Sequence, residues 1–304
     1  MEAQPPLPAP AEDERGSAQF TLRYEDLSQD GQVKLTALPM AIGRACFAQL
    51  WVRHPLIVTY REGIVPILSH MVIESDPSPT LLGATIEAQG QLQLAHERDA
   101  EGQVSGLFLN MTAEVFAPLG RSFGAQPEGA GARVRIGRVF AEHIFTKPFG
   151  PRNERKVLSF AVPEQPAVPH AQYERARASE MLRVPEGATL LDQELHADPS
   201  PWVFGLVHSY NNQHVNSLVY PRLFEDAALR RFGERGQDLR MLGSKLEIVY
   251  RKPCFVGDRV WCSLQTYVDA RGVKTAVGIV APEGAGPERA HCTMRLSMRE
   301  APAR

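Results

Sequence analysis

The chain is 304 residues long and 43% hydrophobic, with 33 basic and 35 acidic side chains for a formal net charge of −2. Such a chain buries an ample core, and its length suits two domains or one large one. With no basic stretch or basic helix face, nucleic acid is excluded as an expected partner. The opening residues 1–16 are rich in Pro, Ala and acid and read as a disordered tail without the charged and apolar parts of a signal peptide. No apolar run approaches the roughly 20 residues of a bilayer span, so neither membrane nor export is expected. The four cysteines, Cys46, Cys254, Cys262 and Cys292, form neither a CxxC pair nor a zinc-ligand spacing with His. They suit a reducing, cytoplasmic setting with no metal.

Along residues 17–150 an extended stretch, Phe20–Tyr24, precedes a helical pattern marked by Leu38, Ile42, Ala45, Gln49 and Trp51–Val52, which His54–Pro55 ends. Strand patterns follow at Ile64–Ile73, Leu81–Glu97 and Gln103–Phe116, with a hairpin turn at Asp99–Gly102 and a closing strand at Val134–Thr146. A connector, Gly- and Pro-rich near Gly120–Gly131, occupies roughly Pro118–Pro201, with residues 151–200 as linker proper and a short helix at Tyr173–Leu182. Residues 201–304 then repeat the order. Val203–His208 is extended, and Leu218–Phe232 is a helix carrying Leu223, Phe224, Ala227, Ala228 and Phe232 on one face. Pro221 suits its first turn and Gly233 its end. Strands follow at Ser244–Arg251, Asp258–Val268, Val273–Ala281 and Ala290–Met298.

The repeat has a fixed offset. Gln32–Val33–Lys34–Leu35–Thr36–Ala37–Leu38–Pro39 matches His214–Val215–Asn216–Ser217–Leu218–Val219–Tyr220–Pro221 in pattern, 182 positions on. So long a period means a duplicated domain rather than a solenoid. Strand, helix, then several antiparallel strands, twice over, is an α+β pattern.

The segment Asn212–Gln213–His214–Val215–Asn216, followed by Tyr220, Phe224, Glu225 and Ala227, resembles the signature of hot-dog-fold acyl-carrier-protein and acyl-CoA thioesterases. Tyr250–Arg251–Lys252–Pro253–Cys254 resembles the Arg-Glu-Cys strand of the plant-type members, which are double hot-dogs. The resemblance implies two fused copies of a long helix wrapped by an antiparallel sheet. It implies a thioesterase-like enzyme of fatty acid or polyketide metabolism acting on acyl-CoA or an acyl carrier protein. Coenzyme A or phosphopantetheine enters as part of the substrate, so no separate cofactor is expected. Two departures stand out: the family's acid before the His is Tyr210, and its strand Glu is Pro253. In the first copy Ser28, Asp30 and Gln32 replace Tyr210, Asn212 and His214, which makes that copy a structural partner. No His fits the His-xxx-Gly-xxxx-Pro motif of the dehydratase branch.

Thioester cleavage needs a polarised carbonyl and an activated attacking group. Asn212, His214, Tyr210 and Glu225 are the catalytic candidates, and Asn216, Cys254 and Tyr220 the substrate-binding ones. An imidazole is the side chain suited to proton transfer, so His214 can act as base or oxyanion donor. Tyr210 donates a hydrogen bond but is a poor base. Glu225, about three helical turns past His214, can reach a facing helix or a substrate channel. Each has a structural rival: Asn212 and Asn216 as helix caps, His214 as a buried, backbone-bonded ring, Cys254 as core. Two other functions fit the missing carboxylates: a protein that binds acyl groups or carrier protein without hydrolysis, or an acyltransferase, decarboxylase or other tailoring enzyme. Two fused copies supply the pair a single hot-dog needs a dimer to make, so monomer and homodimer are both open.

Overall fold

The computed structural model describes residues 14–28 and 30–301. The first copy holds strands β1 (Arg15–Thr21), β2 (Val65–Ser75), β3 (Thr85–Arg98), β4 (Val104–Pro118) and β5 (Arg133–Thr146). The connector contributes the two-residue strands β6 (Ala171–Gln172), β7 (Thr189–Leu190), β8 (His196–Ala197) and β9 (Trp202–Val203), and a one-turn helix α1 (Ala178–Met181). The second copy holds the long helix α2 (Val219–Glu234) and strands β10 (Met241–Tyr250), β11 (Arg259–Val268), β12 (Lys274–Ala281) and β13 (Cys292–Glu300).

All of these strands join one sheet, whose main path runs β1-β3-β4-β5-β2-β10-β13-β12-β11-β7. Within each copy the strand after the helix lies beside the last one, so the two inner strands, β2 and β10, meet back to back. They pair antiparallel from Glu74↔Lys245 to His70↔Val249, with Val72 opposite Glu247 at the centre. Both carry a bulge, between Leu68 and His70 and between Gly243 and Lys245. The inserted serines do the same job: Ser69 and Ser244 donate to the carbonyls of Glu142 and Ser297 on the neighbouring strands, at 3.3 and 3.0 Å. A bulge repeated at the same place in both copies is a designed kink that curls the sheet around the helices.

α2 buries Val219, Tyr220, Leu223, Phe224, Ala227, Ala228 and Phe232, the stripe its three- and four-residue spacing predicts. Its counterpart is irregular. Leu35–Ala37 is a 3-10 turn, Ile42–Phe47 a π-helical turn and Trp51–Arg53 another 3-10 turn. Pro55 does not end helical structure but opens a further 3-10 stretch, Pro55–Glu62, in which the His54 ring accepts from the Leu56 N–H at 3.1 Å. By length and composition Leu35–Arg53 is apolar enough to cross a membrane, against the sequence expectation. Here it is a core segment, with Leu38, Ala41, Ala45, Cys46 and Trp51 buried in the main core.

The segment lies so close to β3 that Gly90 has no room for a side chain: a Cβ there would stand 2.6 Å from Cys46 Sγ and 2.9 Å from Ala45 Cβ. Gly90→Ala is expected to cost about 2 kcal/mol in chemical denaturation, because backbone or helix must shift.

Three other expectations are corrected. Arg15 and Gly16 pair with Gln91 and Gly90 of β3 and so belong to a strand, while the rest of the expected tail lies outside the described residues. Of the expected helix at Tyr173–Leu182 only α1 forms, because Tyr173 is drawn onto the sheet, where its N–H donates to His96 O at 2.8 Å. The connector is an ordered cover: Tyr173 packs against Phe108 and Phe140, and Leu182 against Ile279 and Ala281. β4 and β12, covered on both faces, are accordingly buried along most of their length.

Candidate functional site

The strand-to-helix loops of the two copies are built bond for bond alike. Tyr24–Asp26 and Leu206–His208 are 3-10 turns, and Leu27↔Val33 and Ser209↔Val215 are antiparallel bridges, each 182 positions apart. Ser28 N donates to Gln32 O at 2.8 Å and Tyr210 N to His214 O at 3.3 Å. Lys34 N donates to Asp26 O at 2.9 Å and Asn216 N to His208 O at 2.7 Å. Both loops turn through a left-handed residue, Gly31 at φ 82° and Gln213 at φ 67°.

The side chains then part ways. In the first copy Asp30 accepts from Ser28 and Gln32, and Arg299 closes over the loop, donating to the Gln32 side chain and, at 2.7 Å, to Ser75 O. Gln32 is buried. In the second copy His214 is half-buried and Asn212, Gln213 and Asn216 are exposed. The first loop is sealed; the second is open.

In the open loop both asparagines are oriented by backbone. Asn212 Oδ1 accepts from His214 N at 3.1 Å, and Asn216 Oδ1 from Leu218 N at 2.8 Å. A backbone N–H can only donate, so these facing atoms must be oxygens, and each side-chain NH2 is left turned outward as a donor. Asn216 therefore closes a turn onto the residue that precedes α2 rather than capping the helix itself, and its amide hydrogens stay free. The macrodipole of α2 favours negative charge at the same end.

Behind the loop, Val215 N donates to Cys254 O at 2.9 Å, Cys254 N to Tyr220 Oη at 3.0 Å, and Tyr250 Oη to Ser217 O at 3.0 Å. Burial pushes the Cys254 thiol up to about 11 and the Tyr220 hydroxyl well above its usual range. Cys254 and Tyr220, the expected substrate-binding side chains, are buried behind the loop, where their hydrogen bonds hold it. The next residue, Phe255, is exposed and meets the His214 ring edge-on, with centroids 5.3 Å apart. It was missed in the sequence because its turn looked like mere punctuation between strands; an aromatic left exposed beside a conspicuous His was the available signal. Tyr210 stands at the loop's mouth, 45% exposed, and Leu206, Val207 and Val256 add exposed apolar surface on neighbouring turns.

Glu225 is placed elsewhere. Its Oε1 lies 3.2 Å, and Leu35 Cδ1 of the first copy 2.7 Å, from the point where Gly243 would carry a Cβ. Burial and Asp226 push its carboxyl up, and Lys34 of the first copy pulls it back. It thus faces the sealed loop across the seam. Two hollows of the surface lie away from His214. One is a slight recess at His196, Arg230 and Leu264; the other is an open groove of about 680 Å³ at Ser17, Gln19, Arg44 and Glu87. Among the described residues no group of three or more His, Cys, Asp or Glu could hold a metal.

No protein-family model matches the chain, and no curated protein matches it in sequence. Solved structures do match in shape. An acyl-ACP thioesterase from Bacteroides thetaiotaomicron superposes with a TM-score of 0.58 at 13% identity, covering 95% of this chain and 99% of its own. The 12:0-ACP thioesterase from Umbellularia californica gives 0.56 at 11% identity, covering 94% of each. Full-length coverage, a continuous antiparallel sheet and a loop repeated at a fixed offset together make this chain a double hot-dog, the fold of those thioesterases.

Proposed function

We propose that the chain hydrolyses acyl thioesters of coenzyme A or a carrier protein at the open loop 212–216. The observation that carries this reading is the orientation of Asn212 and Asn216: with both carbonyl oxygens held by backbone N–H groups, two amide donors are fixed on either side of His214. The thioester carbonyl oxygen, which becomes an oxyanion as water attacks, is stabilised by these donors and by the N-terminus of α2. His214 takes the proton from the attacking water and returns it to the departing thiolate, leaving an acid and a free thiol. Tyr210 hydrogen-bonds at the mouth in place of a carboxylate.

The replacement of both family carboxylates, by Tyr210 and Pro253, favours one other reading: an open loop that binds acyl thioester without turnover. Acyl transfer through Cys254 is disfavoured, since a buried thiol held near 11 is a weak nucleophile at neutral pH.

The test is release of free thiol from a panel of acyl-CoA and acyl-carrier substrates, with Asn216→Asp as the diagnostic variant. Asp keeps the oxygen that accepts from Leu218 N but removes the donor, so Tm should hold while kcat falls by about 10²–10³-fold. Wild-type turnover that survives Asn216→Asp refutes the donor role. Tight binding of acyl carrier with no turnover establishes the non-hydrolytic reading.

A further inference from the structure

The outer face of the first copy's sheet carries polar side chains that the thioester reading leaves unused. Register places His70, Glu142 and Asn110 side by side across β2, β5 and β4. Each is 1% exposed. His70 Nε2 meets Glu247 Oε1 at 3.1 Å across the seam, and Glu142 Oε1 accepts from Ser69 Oγ at 2.5 Å.

Six further atoms here are buried without a hydrogen-bond partner: Glu142 Oε2, Asn110 Oδ1 and Nδ2, Thr112 Oγ1, Tyr173 Oη and His70 Nδ1. They form one patch. Thr112 follows Asn110 by two residues and so shares its face. The Tyr173 ring packs on Phe108 and Phe140, at 5.5 and 6.4 Å, the outer-face neighbours of Asn110 and Glu142 along their strands. The Tyr173 hydroxyl faces the Glu142 carboxylate at hydrogen-bonding reach but beyond an ordinary hydrogen-bond length, and burial and the carboxylate push its titration up. Native interiors leave few polar atoms unpaired, and six in one patch point to something bound.

The chemistry of the patch selects what that is. Glu142 makes no ion pair among the described residues, and Arg175 sets its guanidinium over the Phe108 ring, 5.9 Å from its centroid. A buried carboxylate without a countercharge is strongly disfavoured. The free acceptors are a carboxylate, an amide carbonyl and two hydroxyls, all hard oxygens of the kind hard cations prefer. One formal charge is too few for a divalent ion. We propose that Glu142 Oε2, Asn110 Oδ1, Thr112 Oγ1 and Tyr173 Oη bind a monovalent cation, of alkali-metal or ammonium type, between the sheet and the connector. Water on the cation donates to His70 Nδ1 and accepts from Asn110 Nδ2, which satisfies all six atoms. The ion neutralises Glu142 and fastens Tyr173, and with it the connector, to the sheet.

The test uses the full chain. In about 0.15 M KCl or NaCl, Tm should exceed that in choline chloride of equal ionic strength by about 5 °C, as for a millimolar site. A crystal soaked in RbCl should show an anomalous peak between Glu142 and Asn110. Glu142→Gln keeps the shape and should abolish the salt difference. Equal Tm in potassium and choline, or ordered water with no rubidium peak, overturns the proposal; both measurements are on wild-type protein, so they decide even if the variant fails to fold.

Discussion

His214→Ala should lower kcat for thioester hydrolysis by about 10³-fold and move Tm by no more than about 3 °C. The size of the first effect follows from general base catalysis, which contributes about 10²–10⁴-fold. The small size of the second follows from the setting of the ring, half-buried at the loop's mouth with one aromatic contact, to Phe255. Losing such an edge contact costs about 1 kcal/mol. The loop survives because its folding rests on backbone bonds and on Cys254, Tyr220 and Tyr250, none of which the substitution touches. Steady-state kinetics with circular-dichroism melting separate the two effects. A fall in Tm that accounts for the lost activity would return His214 to a packing role.

Asp192→Asn should destabilise the second copy by about 3 kcal/mol, seen as a Tm lower by roughly 6–10 °C. Asp192 is 2% exposed and is the point at which the connector is tied to the core. Its Oδ1 accepts from Arg231 at 2.5 Å and Arg235 at 2.6 Å, and its Oδ2 from Thr266 Oγ1 at 2.5 Å and Thr266 N at 3.1 Å. A neutral amide cannot balance the two guanidinium groups, and one end of it presents donors to donors. Burial works against the charged carboxylate, but the bonds from Arg231, Thr266 and Arg235 outweigh it and hold the group at about 2. A depressed carboxylate stabilises the fold fully above its unfolded value near 3.9 and loses that contribution as pH falls through about 2. The contribution is about 2 kcal/mol, so acid unfolding of the wild type should steepen between pH 4 and 2, and Asp192→Asn should flatten that limb. Equal acid limbs in both proteins would show that the tie carries no stability.

Much of the fold was legible because its signals were local. Each long strand was visible as a run of β-branched and aromatic residues, and α2 as a single apolar stripe. The offset of 182 proved to be a hydrogen-bond identity, down to the bridge from Leu27 to Val33 and its twin from Ser209 to Val215. What escaped reading depended on distant partners. Tyr173 looked helical in its own neighbourhood, but the aromatic pair Phe108 and Phe140 draws it onto the sheet. The near-continuous apolar run Leu107–Met111 was the overlooked hint that both faces of β4 are covered. Glu225 was expected to reach a facing helix or a substrate channel, and the sheet seam turns it toward Lys34 and Leu35 of the other copy. The candidate loop itself was readable, since Asn212, His214 and Asn216 lie within five residues. The fixed direction of their amides was not, because it depends on which backbone N–H groups the turn leaves free.

A crystal of the full chain with a non-hydrolysable acyl-pantetheine thioether places the reacting group directly. The carbonyl surrogate should lie within about 3 Å of the side-chain nitrogens of Asn212 and Asn216, with His214 facing the thioether. Density for the analogue at Glu225 and Lys34, on the first copy's side of the seam, would contradict the assignment of chemistry to the open loop.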